Sequence, residues 1–457
     1  MFDLRQVDET LWEIPVSTRP DMRVPARVFA DRTLLDQIEQ DSSLEQLVNV
    51  ATLPGILDAA LAMPDIHQGY GFPVGGVAAM ELPDGVVSPG GVGYDINCGV
   101  RLLAAPFTGD ELGGRREALV HEISRAVPAG AGKEHGRARR GADLDAVLLE
   151  GSRVNGSEDD VEHCESGGAL PGADPAAVSE RARERGAGQL GTMGSGNHFV
   201  ELQRVDRVFD EATAEAYGVS EGQVTVLIHS GSRGLGHQVC TDYVKRMDAV
   251  MRRYGIELPD RQLACAPASS PEGEAYLGAM AAAANFAWAN RQEIANGVRG
   301  AIERVLGKDA AQGTRQVYDV AHNVAKVEEH GGRDVLVHRK GATRAFPDQP
   351  VFIPGSMGTA SYVLAGEPGS LARSFGTTCH GAGRMLSRTA ARQRIAGAQL
   401  RRELEGRGIV VRSPSNKGLA EEAPFAYKDV ERVVDVVAQA GLARRVARLV
   451  PMGVVKG

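Results

Sequence analysis

LAMPDIHQGYGFPVGGVAAMELPDGVVSPGGVGYDINCGV, residues 61–100, combines more glycine than a regular element tolerates with four potential metal-binding side chains, Asp65, His67, Asp95 and Cys98. Glycine at that density shapes backbone around a site. The sharpest part is Asp95-Ile96-Asn97-Cys98-Gly99. Here a carboxylate and a thiol share a short loop whose flanking Gly93 and Gly99 permit unusual dihedrals, so the two can converge on one point. A thiolate can also bridge two cations. Taken alone, the same residues read equally well as a glycine-rich turn around a buried thiol, since free cysteine often behaves as a small hydrophobe. The decision comes from the rest of the chain.

Three later stretches repeat one grammar, an apolar run that meets a histidine beside glycine or asparagine. QLGTMGSGNHFVELQ places His198 where a glycine-rich loop becomes a strand, and VTVLIHSGSRGLGHQV runs a buried strand straight into His229. VYDVAHNVAKVEEH delivers His322 in the same way. Ligands of α/β folds gather beyond the carboxyl ends of strands, which is where this pattern puts His229. The loop after His229 has neither the GxxxxGK[ST] nor the GxGxxG spacing, so it is not a P-loop or a dinucleotide fingerprint. Further on, PVFIPGSMGTASYVL reads as strand, turn, strand, with Ser356 and Ser361 offering hydroxyls. SFGTTCHGAGRMLSRTAAR sets Cys379-His380 ahead of a helix that is expected to carry Arg384, Arg388 and Arg392 on one face, suited to an anion or an RNA backbone.

Composition frames these motifs. The 457 residues are 43% hydrophobic and 24% charged, with a net charge of −8, which argues against a general nucleic-acid coat but not against a local basic groove. No apolar run approaches the roughly 20 residues of a membrane span, and the N-terminus lacks the order of a signal peptide, so a cytoplasmic protein is expected. Five scattered cysteines without a CxxC suit single thiols in a reducing compartment. Residues 1–60 read as an entry strand and a scaffold helix region ending at Pro54-Gly55. The segment 125–190 is polar and loop-rich; its Glu162-His163-Cys164-Glu165 reads as a solvated acidic loop, and its Lys133, Arg137, Arg139 and Arg140 as a solvated face or a phosphate-backbone contact. EAYLGAMAAAANFAWANRQEIANGVRGAIERVLG reads as a long helix with Phe286 and Trp288 in the core and Asn285 and Asn290 as candidate site residues. The closing YKDVERVVDVVAQAGLARRVARLVPMGVVKG reads as a basic amphipathic helix with a terminal lysine of the kind that usually frays.

PDIHQGYGFPVGG, GGVGYDINCGVR, GTMGSGNHFVE, IHSGSRGLGHQ, AHNVAK, HRKGATRAF, IPGSMGTASYV, CHGAGR and VVKG resemble, in order, the signature blocks of the RtcB family of RNA-splicing ligases. The resemblance implies an α/β (α+β) fold in one large domain over residues 1–457, with a β-rich core around a dinuclear metal site. It implies a ligase dependent on GTP and two Mn²⁺ that joins an RNA end bearing a 2′,3′-cyclic phosphate or 3′-phosphate to a 5′-hydroxyl end, with archease a possible activating partner. Residue by residue, Asp95, Cys98, His198, His229 and His322 match the family's manganese ligands, with Cys98 bridging. His380 matches the histidine that becomes guanylylated, and Asn197, Glu201, Asn323, Ser356, Ser361, Gly383, Tyr427 and Lys456 match contacts to the guanosine nucleotide. Two other readings use parts of the same set: a dinuclear phosphoesterase, which needs the Asp/Cys/His shell but no covalent histidine, and an RNA- or nucleotide-binding protein without catalysis.

Overall fold

Continuous apolar runs such as VRLLAA and VTVLI suit strands covered on both faces. A computed structural model describes residues 2–130, 132–135 and 138–457 and places these runs in an eight-stranded sheet. Its strands lie in the order Arg315–Ala321, Gly99–Thr108, Gln223–Ser230, Phe199–Val208, Ala443–Lys456, Ser361–Gly366, Pro350–Ile353, with Val410–Arg412 added in parallel beside Ala443–Lys456. The register decides what gathers at one end. Gly99 stands opposite both Ser230 and Ala321, and Phe199 stands opposite both His229 and Lys456. Five neighbouring strands therefore bring His322, Cys98, His229, His198 and Lys456 to one end of the sheet.

A second sheet of seven strands runs Arg5–Gln6, Leu11–Ile14, Ala26–Phe29, Ala60–His67, Val74–Glu81, Arg333–Lys340, Asn323–His330. The chain crosses from the first sheet to the second through His322 alone, because Ala321 ends a strand of one and Asn323 begins a strand of the other. A two-stranded ribbon, Ala342–Arg344 against Thr377–Cys379, carries His380 to the same seam.

The helix Pro271–Leu306 links the two layers. Ser270 caps it by accepting from the Gly273 amide, and proline occupies its first turn, where an amide hydrogen is not needed. Its first half, including Phe286 and Trp288, packs in the hydrophobic core of the seven-stranded sheet, as the sequence predicts. Its second half, from Ile294 to Ile302, packs in the core of the eight-stranded sheet. A helix enclosed this way needs apolar residues all round, which its alanines supply without bulk. Among the described residues no helix is long and apolar enough to cross a membrane.

Three expectations are corrected. In the C-terminal segment only Val430–Gln439 is helical; Ala443–Lys456 is a strand, because β-branched residues pairing on both sides outweigh the helical spacing. Ser387 caps a helix that begins at Arg388, so Arg384 lies in the loop before it and the three arginines do not share a helical face. Cys164 and Glu165 are buried rather than solvated, since the Glu165 carboxylate accepts from the Ala321 amide and pairs with Lys326. Arg137 of the basic run lies outside the described residues, and Arg139 pairs with Glu293 at 3.4 Å. Cys240 and Cys265 are buried in apolar surroundings that push both thiols up to about 12. Alanine at either position is expected to cost about 1 kcal/mol of stability, read by denaturant midpoint, with no loss of metal binding.

Candidate functional site

Two donor groups share one atom. Cys98, His229 and His322 form one, and Asp95, Cys98 and His198 the other, with the donor atoms of each group within 4.8 Å of one another. The Cys98 Sγ lies 3.3 Å from His198 Nε2 and 3.3 Å from His229 Nε2, His229 Nε2 lies 3.3 Å from His322 Nε2, and Asp95 Oδ2 is 2.8 Å from His198 Nε2. The tight loop bearing the two acidic donors is closed by the Cys98 amide donating to the Asp95 carbonyl. All but the partly exposed Asp95 are buried.

Electrostatics favour a cation here. Burial, and then the neighbouring His198 and His380, lowers the His229 pKa well below its ordinary value; burial, His380 and His229 do the same for His322. Burial and Asp95 push the Cys98 thiol well above its usual range. Burial would raise Asp95 too, but His198, the contact with Cys98 and Arg233 outweigh it and the carboxylate is stabilised. The Nδ1 atoms of His229 and His322 find no hydrogen-bond partner among the described residues. Converging ring nitrogens with more lone pairs than protons are the donor set of a metal centre, and a bound cation deprotonates a coordinating thiol outright. Imidazole and carboxylate suit Mn²⁺, and a shared thiolate suits two ions close together, so the residues present fit a dinuclear manganese centre.

Beside this cluster, the His380 ring centroid is 4.8 Å from that of His322. His380 Nδ1 lies 2.6 Å from Asp65 Oδ2, and the amides of His380 and Gly381 donate to the same oxygen at 3.1 and 3.2 Å. Asp65 is fully buried. Three contacts on one oxygen fix the ring, and a proton on Nδ1 leaves Nε2 with its lone pair free. Gly383 closes this loop at φ +77, and a Cβ there would meet the Asp65 carbonyl oxygen at 2.2 Å. Asp65 was weighed from the sequence as a metal ligand; the structure instead sets it against His380, and His67 Nδ1 contacts the Asp65 carbonyl oxygen at 2.9 Å. Neither belongs to the two donor groups. Asp65→Asn is expected to lower any reaction initiated by His380 by about 10²-fold or more, because the amide no longer stabilises a cationic ring. Single-turnover rates would measure it, and an unchanged rate would remove Asp65 from the mechanism.

Both features open on a cavity of about 250 Å³. Of the expected nucleotide contacts, Asn197, Asn323, Ser356, Gly383, Tyr427 and Lys456 line it, and the buried Ser356 hydroxyl has no partner among the described residues. Asn323 also holds the loops together, donating to the Asp95 carbonyl and accepting from the Gly341 amide. Glu201 and Ser361 are buried and do not line the cavity; Gln203 donates to both, and Ser361 accepts from the Gly355 amide as well. Burial raises the Glu201 carboxyl to about 8 against the opposing effects of Gln203 and Lys456. Lys456 is buried, donates to the His198 carbonyl at 3.1 Å, and is lowered by burial to about 8.

Glu422 was missed in the sequence. It joins Arg384, Arg388 and Tyr427 at the far wall of the cavity, and Lys456 and Arg384 outweigh its burial to hold it near 2. Two of the three arginines expected to face a polyanion are thus committed to one carboxylate, and Arg392 pairs with Glu421. Nothing in the spacing around Glu422 marks it. Tyr94, which also lines the cavity, stacks on His237 with centroids 4.8 Å apart and meets Tyr70 edge-on at 5.2 Å.

The family model described as tRNA-splicing ligase RtcB matches residues 46–457. A tRNA-splicing ligase RtcB of Thermococcus kodakarensis is 53% identical, with 100% of this chain and 99% of the relative covered. One of Archaeoglobus fulgidus is 52% identical over 99% of each. An RNA-splicing ligase RtcB of Mycobacterium tuberculosis is 53% identical, covering 90% of this chain and 100% of the relative.

Proposed function

The chain belongs to the RtcB family, and from that membership we propose that it is an RNA ligase, dependent on GTP and Mn²⁺, that joins 2′,3′-cyclic phosphate or 3′-phosphate ends to 5′-hydroxyl ends through a histidine–GMP adduct. The observation that carries the reading is the contact of His380 Nδ1 with Asp65, which holds the ring against a donor cluster with one shared thiol. When bound, two Mn²⁺ would supply Lewis acidity to phosphate oxygens and hold attacking and leaving groups in line.

The chain's own residues account for the covalent step. His380 Nε2 forms a bond to the α-phosphorus of GTP as the bond to pyrophosphate breaks, and Asp65 neutralises the imidazolium that results. Lys456 and the Tyr427–Arg384–Glu422 wall, with the free hydroxyl of Ser356, offer donors and acceptors to a guanosine base and its sugar. The RNA 3′-phosphate then attacks the same phosphorus and releases His380, and the 5′-hydroxyl displaces GMP to close the phosphodiester. The aromatic cluster of Tyr70, Tyr94 and His237, of which Tyr94 lines the cavity, supports RNA as the second substrate, because aromatic faces accept any base.

The test is incubation with α-³²P-GTP and Mn²⁺, followed by intact-mass measurement. A single acid-labile GMP per chain is expected. Phosphatase or nuclease turnover without an adduct would replace the proposal with a dinuclear phosphoesterase.

A further inference from the structure

The helix Pro271–Leu306 leaves one hydrophobic core and enters the other at Asn290-Arg291-Gln292, three buried polar residues in succession. Such a run is costly inside a protein unless every donor is met. At Arg291 every one is. Its Nε donates to Asp319 at 2.9 Å, Nη2 to Asp319 at 2.8 Å and to Asn97 Oδ1 at 3.1 Å, and Nη1 to the carbonyls of Asn97 at 2.7 Å and Ser230 at 3.0 Å. Asn97 precedes Cys98, Ser230 follows His229, and Asp319 lies on the strand that ends one residue before His322. One planar guanidinium thus grips the backbone or strand beside three of the donors.

Two details show that the surroundings accommodate this grip. A Cβ at Gly99 would stand 2.3 Å from the Val320 carbonyl oxygen and 2.9 Å from the guanidinium carbon, so glycine after Cys98 admits both the neighbouring strand and Arg291. Asn97 holds φ +50, uncommon for a residue with a side chain, while its side-chain Nδ2 donates to the Ala284 carbonyl on the same helix. The adjacent Asn290 extends the arrangement to the fourth strand. It accepts from the Gly191 and Thr192 amides and donates to Ser230 Oγ, whose hydroxyl meets the Met193 carbonyl that also contacts His198 Nδ1.

We propose that Arg291 is a positioning residue for the metal cluster, setting Cys98, His229 and His322 in place before any cation arrives. A fork with five fixed donors can do this where a lysine cannot, because an ammonium lacks both the planarity and the reach. The inference rests on the reading of these residues as metal donors.

The experiment is equilibrium dialysis of metal-free full-length protein against Mn²⁺, with electron paramagnetic resonance of the loaded form. Wild type is expected to bind two ions with the signature of a spin-coupled pair; binding none would remove the metal reading itself. Arg291→Lys is expected to weaken Mn²⁺ binding by about 10–100-fold and to lose the coupled signal, the size of effect seen when the support of metal ligands is removed. Arg101→Lys is the control. Arg101 also pairs with Asp319 in the core, yet it donates to no backbone beside a donor residue, so its loss lowers thermal stability and leaves Mn²⁺ affinity within about twofold. Should Arg291→Lys not fold, Asn97→Gly carries the test, since glycine keeps the positive φ and removes the side-chain acceptor of Arg291 together with the side-chain donor to the Ala284 carbonyl. Wild-type affinity in wild-type numbers of sites for the folded variant, or equal losses in the two arginine variants, overturns the proposal.

Discussion

His380→Ala is expected to abolish the GMP adduct and to lower ligation of 3′-phosphate ends by at least about 10³-fold, the scale on which loss of a covalent nucleophile is felt. The ring makes few structural contacts beyond Asp65, so the fold should survive. Two lysines are the real competitors: Lys340 and Lys456 line the same cavity, and burial lowers each to about 8, which leaves a fraction of free amine at neutral pH. Both ammonium groups are committed, however, Lys340 to the carbonyls of Tyr70 and Gly90 and Lys456 to that of His198. Among the described residues His380 Nε2 has no such commitment. RNA whose 3′ end already carries guanylate should still be joined by His380→Ala, because only the first step uses the ring. Peptide mapping that found GMP on either lysine would transfer the nucleophile's role there.

Cys98→Ser should cost at least one of two bound Mn²⁺ and nearly all ligation. Serine keeps the shape, but its hydroxyl is a far poorer anionic bridge than a thiolate. The prediction is sharp because Sγ alone belongs to both donor groups, so its loss disconnects them, whereas loss of His322 would spoil one. Metal content by mass spectrometry and thermal unfolding of the metal-free protein separate the site effect from a folding effect. Two bound ions and normal turnover in the serine variant would end the bridging role of Cys98.

The candidate donors were legible because each is announced locally, by an apolar strand that runs into or out of a histidine or by a carboxylate and thiol within one glycine-flanked loop. Register then does what sequence cannot: it lines up the ends of strands that are far apart in the chain. Asp65 shows the limit. Its partner lies 315 residues away, and its own neighbourhood of glycine and His67 suggested a metal instead. Arg384, Arg388 and Arg392 had helical spacing, yet a serine cap restarted the helix after the first of them, and Glu421 and Glu422 absorb their charge. Lys456 looked frayed because it stands next to the terminus; in the sheet it pairs with Phe199 and is buried. Asn290 stood out in its helix as a polar candidate, whereas Arg291 beside it carried no local signal, since its partners Asn97, Ser230 and Asp319 lie on other strands and loops.

His322 is the only residue between a strand of the eight-stranded sheet and a strand of the other. Asp65 comes from the seven-stranded sheet and His380 from the two-stranded ribbon, whereas Cys98, His198 and His229 come from the eight-stranded side. The site is therefore a seam with two independent tailors. Slippage of one sheet past the other, from a cavity opened in either core, leaves each half locally intact while the two drift out of reach. The signature of such damage is uncoupling: a chain that still takes up the proposed Mn²⁺ and GTP, yet no longer forms the proposed bond between His380 and the nucleotide.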